Sequence, residues 1–268
     1  RRPGMTMAAR DTPLKVGLIG FGAIGRSVAA LLPASVALGV LTRSAPADLP
    51  VAAEALADAD ALLAWGPDVV IEAASAEAFA QTAPACLGQG IDVVAASVGA
   101  LQDSALLDRI LAICSETGSR LVVPAGAVGG LDHIAAAALH PETIVTYVSR
   151  KPPAAWSAEL EAMGQTEAAS RGEVSLYEGN AREAAARYPR NLNAGLTIAL
   201  AAGFDRVRVR VVADPAVARN THEIVVSGPL GTSTMSFCNM PDPSNPKTSA
   251  ITAYSLVAAT LRRFEALQ

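Results

Sequence analysis

The chain has 268 residues, which is more than one small hydrophobic core needs, so we expect two domains or one large domain with an extension. Hydrophobic residues make up 51% and charged residues 17%, a composition that excludes a long disordered chain. The net charge is -4 and no basic stripe is present, which disfavours nucleic-acid binding. No uncharged apolar run reaches the roughly 18 residues of a spanning helix, and no signal peptide is apparent. We therefore expect a soluble, cytoplasmic protein without a membrane partner.

The first half of the chain alternates short apolar runs with alanine-rich segments. The run at residues 15–20 leads through a glycine-rich turn into a helical pattern at 22–32. Further runs typical of strands buried on both faces lie at 36–42, 68–74, 91–97 and 120–125. Crossover helices are predicted at 76–88 and 102–118. This alternation predicts an α/β domain over residues 1–130, a Rossmann-type fold with a doubly wound parallel sheet.

From about Leu131 strand-like segments follow one another without regular crossovers. Arg208 and Arg210 alternate with valines, which predicts a sheet with one face in water. Helices are predicted at 181–187 and 193–202, so the segment 131–245 reads as a second, α+β domain. One C-terminal helix is predicted at residues 247–267. We expect the C-terminal segment 246–268 to pack back on the first domain. Exposed strand edges in the second domain favour a homodimer.

The cysteines Cys86, Cys114 and Cys238 are far apart in the sequence and stand among apolar residues. Their spacing predicts neither a disulfide framework nor a metal site. We interpret all three as small buried hydrophobic residues, and we expect no bound metal.

A glycine-rich loop is the first chemical signal. Gly20, Gly22 and Gly25 form GxGxxG directly after the first predicted strand, with Ala23 and Ile24 inside the motif. The first glycine permits the tight turn, the second lets the backbone approach a pyrophosphate, and the third lets the helix pack closely on the strand. Strand, loop and helix together predict a dinucleotide site.

The end of the second predicted strand bears on coenzyme preference. NAD sites usually carry an acidic residue there, about 20 residues after the glycine loop, whereas this chain reads LTRSAP. Arg43 with Ser44 suits a 2′-phosphate, which favours NADP or dual use. The alternative is that Arg43 stacks near the adenine or is solvated, so NAD and NADP both stay open.

Small polar residues follow two other predicted strands. Ser75 and Ser97 stand at strand ends, where open parallel sheets bind ligands, and Ser75 is a candidate for contacting the dinucleotide. Glu72 lies inside an apolar run, where an unpaired carboxylate costs several kcal/mol, so it either has partners at the rim of the site or reaches solvent.

His222 has the best setting for acid/base chemistry. It stands between a polar loop and a predicted strand, near Asn220. An imidazole titrates near neutral pH, so His222 suits proton transfer, with a structural hydrogen-bonding role as the alternative. His133 on a predicted helix and His140 at its end suit surface or capping roles.

Ordered segments across most of the chain resemble the L-aspartate dehydrogenase family. These segments are GFGAIG, IEAAS, SVGAL, VPAGAVGGLD, RKPP, YEGNAREAAARYPRNLNA, ADPAVARNTHEI and NPKTS. The resemblance implies a nucleotide-binding domain followed by a catalytic and oligomerising domain. It also implies that His222 is catalytic, that Ala127 contacts the dinucleotide, and that Asn193, or alternatively Asn191, does so too.

The activity that the resemblance implies is NAD(P)-dependent oxidative deamination of L-aspartate to iminoaspartate, then to oxaloacetate and ammonia, with a role in NAD biosynthesis. Lys247 and Thr248, at a predicted helix start, are candidates for binding the substrate carboxylates, together with Ser97 and Asn220. A solvated first-turn position is the alternative for Lys247. The competing functions are a hydroxy-acid or other amino-acid dehydrogenase, and a non-catalytic dinucleotide sensor.

Overall fold

A computed structural model describes residues 12–43, 46–188, 193–243 and 245–265, without the side chains of residues 246 and 247. The described chain divides into two compact units. One contains the residues up to Pro124 and those from Thr252 onward, and the other runs from Ala125 to Ile251.

The first unit contains a parallel six-stranded sheet in the order β3-β2-β1-β4-β5-β6. Its strands are β1 (Lys15–Ile19), β2 (Ala37–Leu41), β3 (Ala53–Leu56), β4 (Val69–Glu72), β5 (Asp92–Ala95) and β6 (Leu121–Val122). The order runs outward in two directions from the β1–β4 pair. This is the doubly wound arrangement, in which ligands bind beyond the carboxyl ends of the strands.

Three of the helices between these strands begin at side-chain caps. Asp58, Ser75 and Asp103 each accept a hydrogen bond from a backbone N–H of the following first turn. The helices of this part of the chain are α1 (Ala23–Leu31), α2 (Ala59–Trp65), α3 (Ala76–Gly88) and α4 (Ser104–Thr117). The α/β prediction with a doubly wound parallel sheet is confirmed.

Strand β3 and helix α2 were not predicted from the sequence. β3 is an edge strand, and Glu54 and Ala55 within it are exposed. It therefore lacks the continuous apolar run that marks strands buried on both faces.

The second unit contains a mixed five-stranded sheet in the order β11-β10-β7-β9-β8, in which only the β7–β9 pair is parallel. Its strands are β7 (Ile144–Lys151), β8 (Val174–Asn180), β9 (Val207–Ala213), β10 (Thr221–Gly228) and β11 (Gly231–Cys238). A small hairpin follows, made of β12 (Pro241–Asp242) and β13 (Asn245–Ser249). The helices are α5 (Leu131–Ala137), α6 (Ser157–Ala162), α7 (Thr166–Arg171), α8 (Ala181–Arg187) and α9 (Asn193–Ala202).

The two faces of this sheet differ in polarity. Val207, Val209 and Val211 are fully buried, in one core with residues of α5, α8 and α9. Arg208 and Arg210 point to the other face, as the period-two alternation predicted. One face thus carries the hydrophobic core and the other carries charge.

The C-terminal helix α10 (Ile251–Arg262) is shorter than predicted. Residues 245–249 form β13, because this polar stretch pairs with β12, and the helical spacing of apolar residues begins only after Ala250. The buried residues of α10 lie in the core of the first unit together with residues of β1 and β4. In the described residues, none of the helices is long and apolar enough to cross a membrane.

The interpretation of the cysteines as buried is wrong for Cys238, which is exposed, and Cys114 is only half-buried. Cys238 belongs to the edge strand β11, and its side chain points away from the core because Phe237, the residue before it, packs against the core.

We expect Leu256→Ala to lower the free energy of unfolding by about 2–5 kcal/mol, because Leu256 of α10 is fully buried in the core of the first unit. Tyr254→Ala on the same helix is the matched control, since Tyr254 is exposed, and we expect it to change stability by no more than about 0.5 kcal/mol. Urea unfolding followed by circular dichroism measures both. Equal effects of the two substitutions would contradict the packing of α10.

Candidate functional site

The glycine loop joins β1 to α1 and is built by its backbone. Gly20 has φ +92°, and its N–H donates to the carbonyl of Leu41 at 2.9 Å. A Cβ on Gly20 would stand 2.7 Å from Cβ of Ala74, and a Cβ on Gly25 would collide with the carbonyl oxygen of Gly20. A Cβ on Gly22 would meet nothing within 4 Å. Two of the glycines are therefore required for packing, and Gly22 borders open space.

The first turn of α1 fits the diphosphate of a dinucleotide. The N–H groups of Ala23, Ile24 and Gly25 have no acceptor within the helix, and the turn carries no acidic residue. An anion at this position would meet backbone donors and the positive end of the helix dipole. Open space at Gly22 leaves room for its approach.

Arg43 lies two residues after the end of β2 and is exposed. Ser44 lies outside the described residues. An acidic residue comes close to the start of α1 from further along the chain. The Arg26 guanidinium binds Asp48, with Nε to Oδ2 at 2.6 Å and Nη2 to Oδ1 at 3.2 Å. This hydrogen-bonded ion pair holds the pKa of the Asp48 carboxyl below its ordinary value. The sequence pattern missed this acid because it is not at the strand end.

Glu72 is the last residue of β4 and is fully buried, so it does not reach solvent. Of the two alternatives that the sequence left open, the carboxylate has hydrogen-bond partners within the protein. Its carboxylate accepts hydrogen bonds from the N–H of Ala74 at 2.8 Å and from the N–H and hydroxyl of Ser97 at 3.0 and 2.9 Å. Burial outweighs these hydrogen bonds and raises the pKa of Glu72. The hydroxyl of Ser97, a candidate for substrate binding, is thus bound to Glu72, and Ser75 caps α3.

His222 lies in the second unit, on the face of the sheet that carries the core. It pairs with Ser149 across β10 and β7, and only 6% of its surface is exposed. The Tyr147 hydroxyl lies 2.8 Å from His222 Nδ1, and the two rings are nearly parallel, with centroids 6.0 Å apart. Because side chains alternate along β7, Tyr147, Ser149 and Lys151 share this face with His222.

Burial determines the charge of these groups. Burial, together with a smaller contribution from the nearby Lys151 charge, lowers the pKa of His222 to about 4. Burial also lowers the pKa of Lys151 to about 8 and raises the pKa of the Tyr147 phenol. At neutral pH His222 is therefore a neutral imidazole beside a protonated phenol and an ammonium group.

Ala127 and Asn220 lie at the His222 end of this sheet. The amide of Asn239, which directly follows β11, donates to the Ala127 carbonyl at 2.7 Å. The N–H of Asn239 donates to the carbonyl of Asn220, which directly precedes β10. Asn193 is the exposed first residue of α9, and Asn191 lies outside the described residues.

The predicted helix start at Lys247 and Thr248 is wrong, because both residues belong to β13. The Thr248 hydroxyl accepts a hydrogen bond from the Asn245 amide at 3.1 Å. The Lys247 side chain lies outside the described residues.

The remaining histidines make surface contacts. His133 Nε2 lies 2.9 Å from the Ser233 hydroxyl, and His140 Nδ1 accepts from the N–H of Glu142. Among the residues that the structure describes, no group of His, Cys, Asp and Glu side chains could hold a metal ion.

Tyr147 and Lys151 are the residues of this cluster that the sequence did not single out. The hydrogen bond of Tyr147 and the charge of Lys151 act on His222 from more than 70 positions away in the chain, and no local pattern reports such an interaction. The available signal was the run of polar residues SRK at the end of a predicted strand.

Comparison with known proteins finds family models that match each half of the chain and relatives that match most of it. Residues 132–263 match the family model described as aspartate dehydrogenase, C-terminal, and residues 20–124 match the NAD-binding domain of homoserine dehydrogenase. L-aspartate dehydrogenase 2 of Bordetella pertussis is 48% identical over 261 residues, which cover 93% of this chain and 96% of the relative. The chain belongs to the L-aspartate dehydrogenase family. Its first unit is accordingly an NAD-binding domain, and the resemblance noted in the sequence is confirmed.

Two further matches, both to aspartate dehydrogenases, extend over most of this chain. The enzyme of Ruegeria pomeroyi is 38% identical over 259 residues, covering 95% of this chain and 94% of the relative. The crystal structure of aspartate dehydrogenase from Thermotoga maritima has a TM-score of 0.75 at 27% identity, covering 93% of this chain and 96% of that one.

Two glycine substitutions test the dinucleotide site of this L-aspartate dehydrogenase family member. We expect Gly25→Ala to lower the stability of the fold by about 1–3 kcal/mol, because the added methyl group meets backbone. We expect Gly22→Ala to leave stability within about 1 kcal/mol of the parent and to weaken NADH binding about tenfold or more, a loss of about 1.4 kcal/mol. Thermal unfolding and NADH fluorescence titration measure these effects. Parent-like NADH affinity in Gly22→Ala would refute the placement of the diphosphate.

Proposed function

We propose that this chain catalyses the NAD(P)-dependent oxidative deamination of L-aspartate to iminoaspartate, which is hydrolysed to oxaloacetate and ammonia, and the reverse reductive amination. The observation that carries the proposal is a buried, neutral His222, hydrogen-bonded to Tyr147, in a chain that belongs to the L-aspartate dehydrogenase family. The alternatives are another amino-acid dehydrogenase, a hydroxy-acid dehydrogenase, or a non-catalytic dinucleotide sensor.

The residues of the first unit hold the coenzyme. Gly20, Gly22 and the first turn of α1 receive the diphosphate, and the exposed Arg43 takes the adenosine end, including a 2′-phosphate where one is present. The bound nicotinamide supplies the hydride acceptor for the Cα hydrogen of aspartate. Ala127 and Asn193, in the second unit, remain candidates for coenzyme contacts.

His222 moves the protons of the hydrolytic half of the reaction. Nδ1 faces Tyr147, which leaves Nε2 for the substrate. Nε2 takes a proton from water as the water oxygen bonds to the carbon of the protonated imine, and the imidazolium then gives that proton to the amine nitrogen of the carbinolamine. As the carbon–nitrogen bond breaks and ammonia leaves, Nε2 takes the hydroxyl proton and oxaloacetate forms. Loss of this proton to solvent returns His222 to its neutral form. Asn220, Thr248, Lys247 and Ser97 remain candidates for the substrate contacts.

The Tyr147 hydroxyl holds the imidazole of His222 through its Nδ1 atom. If Nδ1–H donates to the Tyr147 oxygen, Nε2 carries a lone pair and can accept a proton. As the imidazole becomes charged, the Nδ1–H donor becomes part of a cation, so its hydrogen bond strengthens. Tyr147 is therefore a positioning residue for His222.

We further propose that the enzyme is cytoplasmic and homodimeric and that it supplies iminoaspartate to NAD biosynthesis. Two features of the described residues and the chemistry of the product support these proposals. The cysteines are free thiols, as in reducing compartments. The five-stranded sheet has edge strands, β8 and β11, that a second copy can cover. The product imine is a reactive compound that suits a biosynthetic partner reaction.

Coenzyme oxidation tests the reaction directly. We expect NADH or NADPH to be oxidised with oxaloacetate plus ammonium, and not when ammonium is omitted. Turnover with oxaloacetate alone would identify a hydroxy-acid dehydrogenase. Turnover only with other amino acids would identify a different amino-acid dehydrogenase, and coenzyme binding with changed assembly and no turnover would identify a sensor.

We expect His222→Ala to lower kcat by about 100- to 10,000-fold, the range of a positioned acid/base group, with unchanged NADH affinity. His133→Ala, at an exposed histidine, is the matched control and should keep parent activity. A parent-like kcat in His222→Ala would remove this histidine from the mechanism.

Tyr147→Phe removes only the hydroxyl and keeps the ring beside His222. We expect kcat to fall about 3- to 10-fold, the value of one hydrogen bond, while KM for L-aspartate and the coenzyme stays near the parent value. Tyr188→Phe is the control, because Tyr188 is buried in the same core and its hydroxyl donates to the Leu176 carbonyl. Equal kcat values in the two variants would show that Tyr147 has a structural role only.

A further inference from the structure

Lys151 stands beside His222 on the core face of the second unit's sheet. His222 pairs with Ser149, so Tyr147 and Lys151 are its two diagonal neighbours across β10 and β7. Lys151 is the last residue of β7, and only 7% of its surface is exposed. The sheet register therefore brings a buried ammonium group to the end of the sheet where His222, Asn220 and Ala127 lie.

The adjacent cation, Arg150, is excluded from this role by the alternation of side chains. It points to the opposite face, where it binds Glu223 at 2.8 Å and Asp214 at 3.2 Å, and it also pairs with Glu173. Its charge is balanced by these three carboxylates. Of the two cations in the RKPP segment, only Lys151 faces His222.

Trp156 and Glu159 both act on the Lys151 ammonium group. Its Nζ lies 5.0 Å from the centre of the Trp156 ring, a favourable position for a cation over an aromatic face. The negative charge of Glu159, on α6, favours the protonated form of Lys151 and so acts against the lowering of its pKa by burial. A charge in such buried surroundings acts strongly on its neighbours, because water screens it little.

We propose that Lys151 is a substrate-binding residue whose ammonium group pairs with one carboxylate of L-aspartate beside His222, an inference that rests on the proposed function. L-aspartate has two carboxylates, so its site needs cationic or hydrogen-bond donors next to the acid/base group. Lys151 meets this need by position and by charge. Pairing with the substrate also offsets the Lys151 charge that opposes protonation of His222, so a bound dicarboxylate makes His222 a stronger base.

The protonation of Lys151 gives a specific pH dependence. In the described residues, the titratable groups around His222 on this face are Tyr147 and Lys151 of β7, and Lys151 faces His222 and Glu159. Burial lowers the pKa of Lys151 to about 8, so the free enzyme loses this charge as the pH rises through that value. We expect kcat/KM for L-aspartate to fall over the same range. Lys151→Arg stays charged, so its kcat/KM should not show this fall.

Lys151→Met tests carboxylate binding by kinetics and by calorimetry. We expect KM for L-aspartate to rise about 10- to 100-fold, the value of a charge-assisted hydrogen bond. We expect the Kd of succinate, titrated into the enzyme–NADH complex, to rise by a similar factor, with NADH affinity unchanged. Lys15→Met is the matched control, because Lys15 also lies over a tryptophan, Trp65, at 4.3 Å in the first unit. It should leave both values at the parent level.

The outcomes separate this inference from the proposed function. Parent-like KM and succinate Kd in Lys151→Met, with aspartate turnover intact, would overturn the role of Lys151 and leave the function standing. Absence of aspartate turnover in the parent enzyme, with succinate binding that depends on Lys151, would overturn the function and support a dicarboxylate site. A loss of succinate binding that Lys151→Arg restores supports the proposal, whereas equal losses in the Met and Arg variants, with unfolding at lower temperature, would show a structural role.

Discussion

The pairing of β7 with β10 is the constraint on which the candidate active site depends. His222 opposite Ser149 places Tyr147 on one side of the imidazole and Lys151 on the other. A slip of one residue would turn the opposite set of side chains to this face and bring Arg150 toward the core. The valines of β9 oppose such a slip, because they pair with β7 and are fully buried in the same core. Packing in the hydrophobic core therefore determines which side chains lie beside His222.

In the first unit, backbone N–H groups supply most of the hydrogen bonds that hold the loops at the strand ends. The loop after β1 is held to the end of β2 by the Gly20 N–H, and the loops after β4 and β5 are held together by the Glu72 carboxylate. Burying a carboxylate is costly, and this one receives three hydrogen bonds from the two loops that it joins. The result is a set of strand ends held at fixed spacing along the carboxyl edge of the sheet, where doubly wound folds bind their ligands.

The parts of this molecule that the sequence predicts are those with a local physical cause. Continuous apolar runs predicted β1, β2, β4 and β5, and the glycine spacing predicted the loop geometry. The exposed edge strand β3 has no such pattern, and the sequence predicts a helix at the residues of β13 because the pairing of β13 with β12 is not visible in those residues. The residue type singles out His222, whereas the hydroxyl that is hydrogen-bonded to it and the lysine that lowers its pKa lie on another strand, more than 70 positions away.

The charges around His222 tie substrate binding to proton transfer. Without substrate, an imidazolium at this position would be a second buried cation next to Lys151, which is why burial and Lys151 together keep the imidazole neutral. A dicarboxylate brings negative charge into the same surroundings, where screening by water is weak and opposite charges interact strongly. In the proposed mechanism, the imidazolium that forms during hydrolysis is then stabilised by the carboxylate of the reacting molecule. A neutral amino acid of similar size would bring less negative charge, so the arrangement favours dicarboxylates in the chemical step as well as in binding.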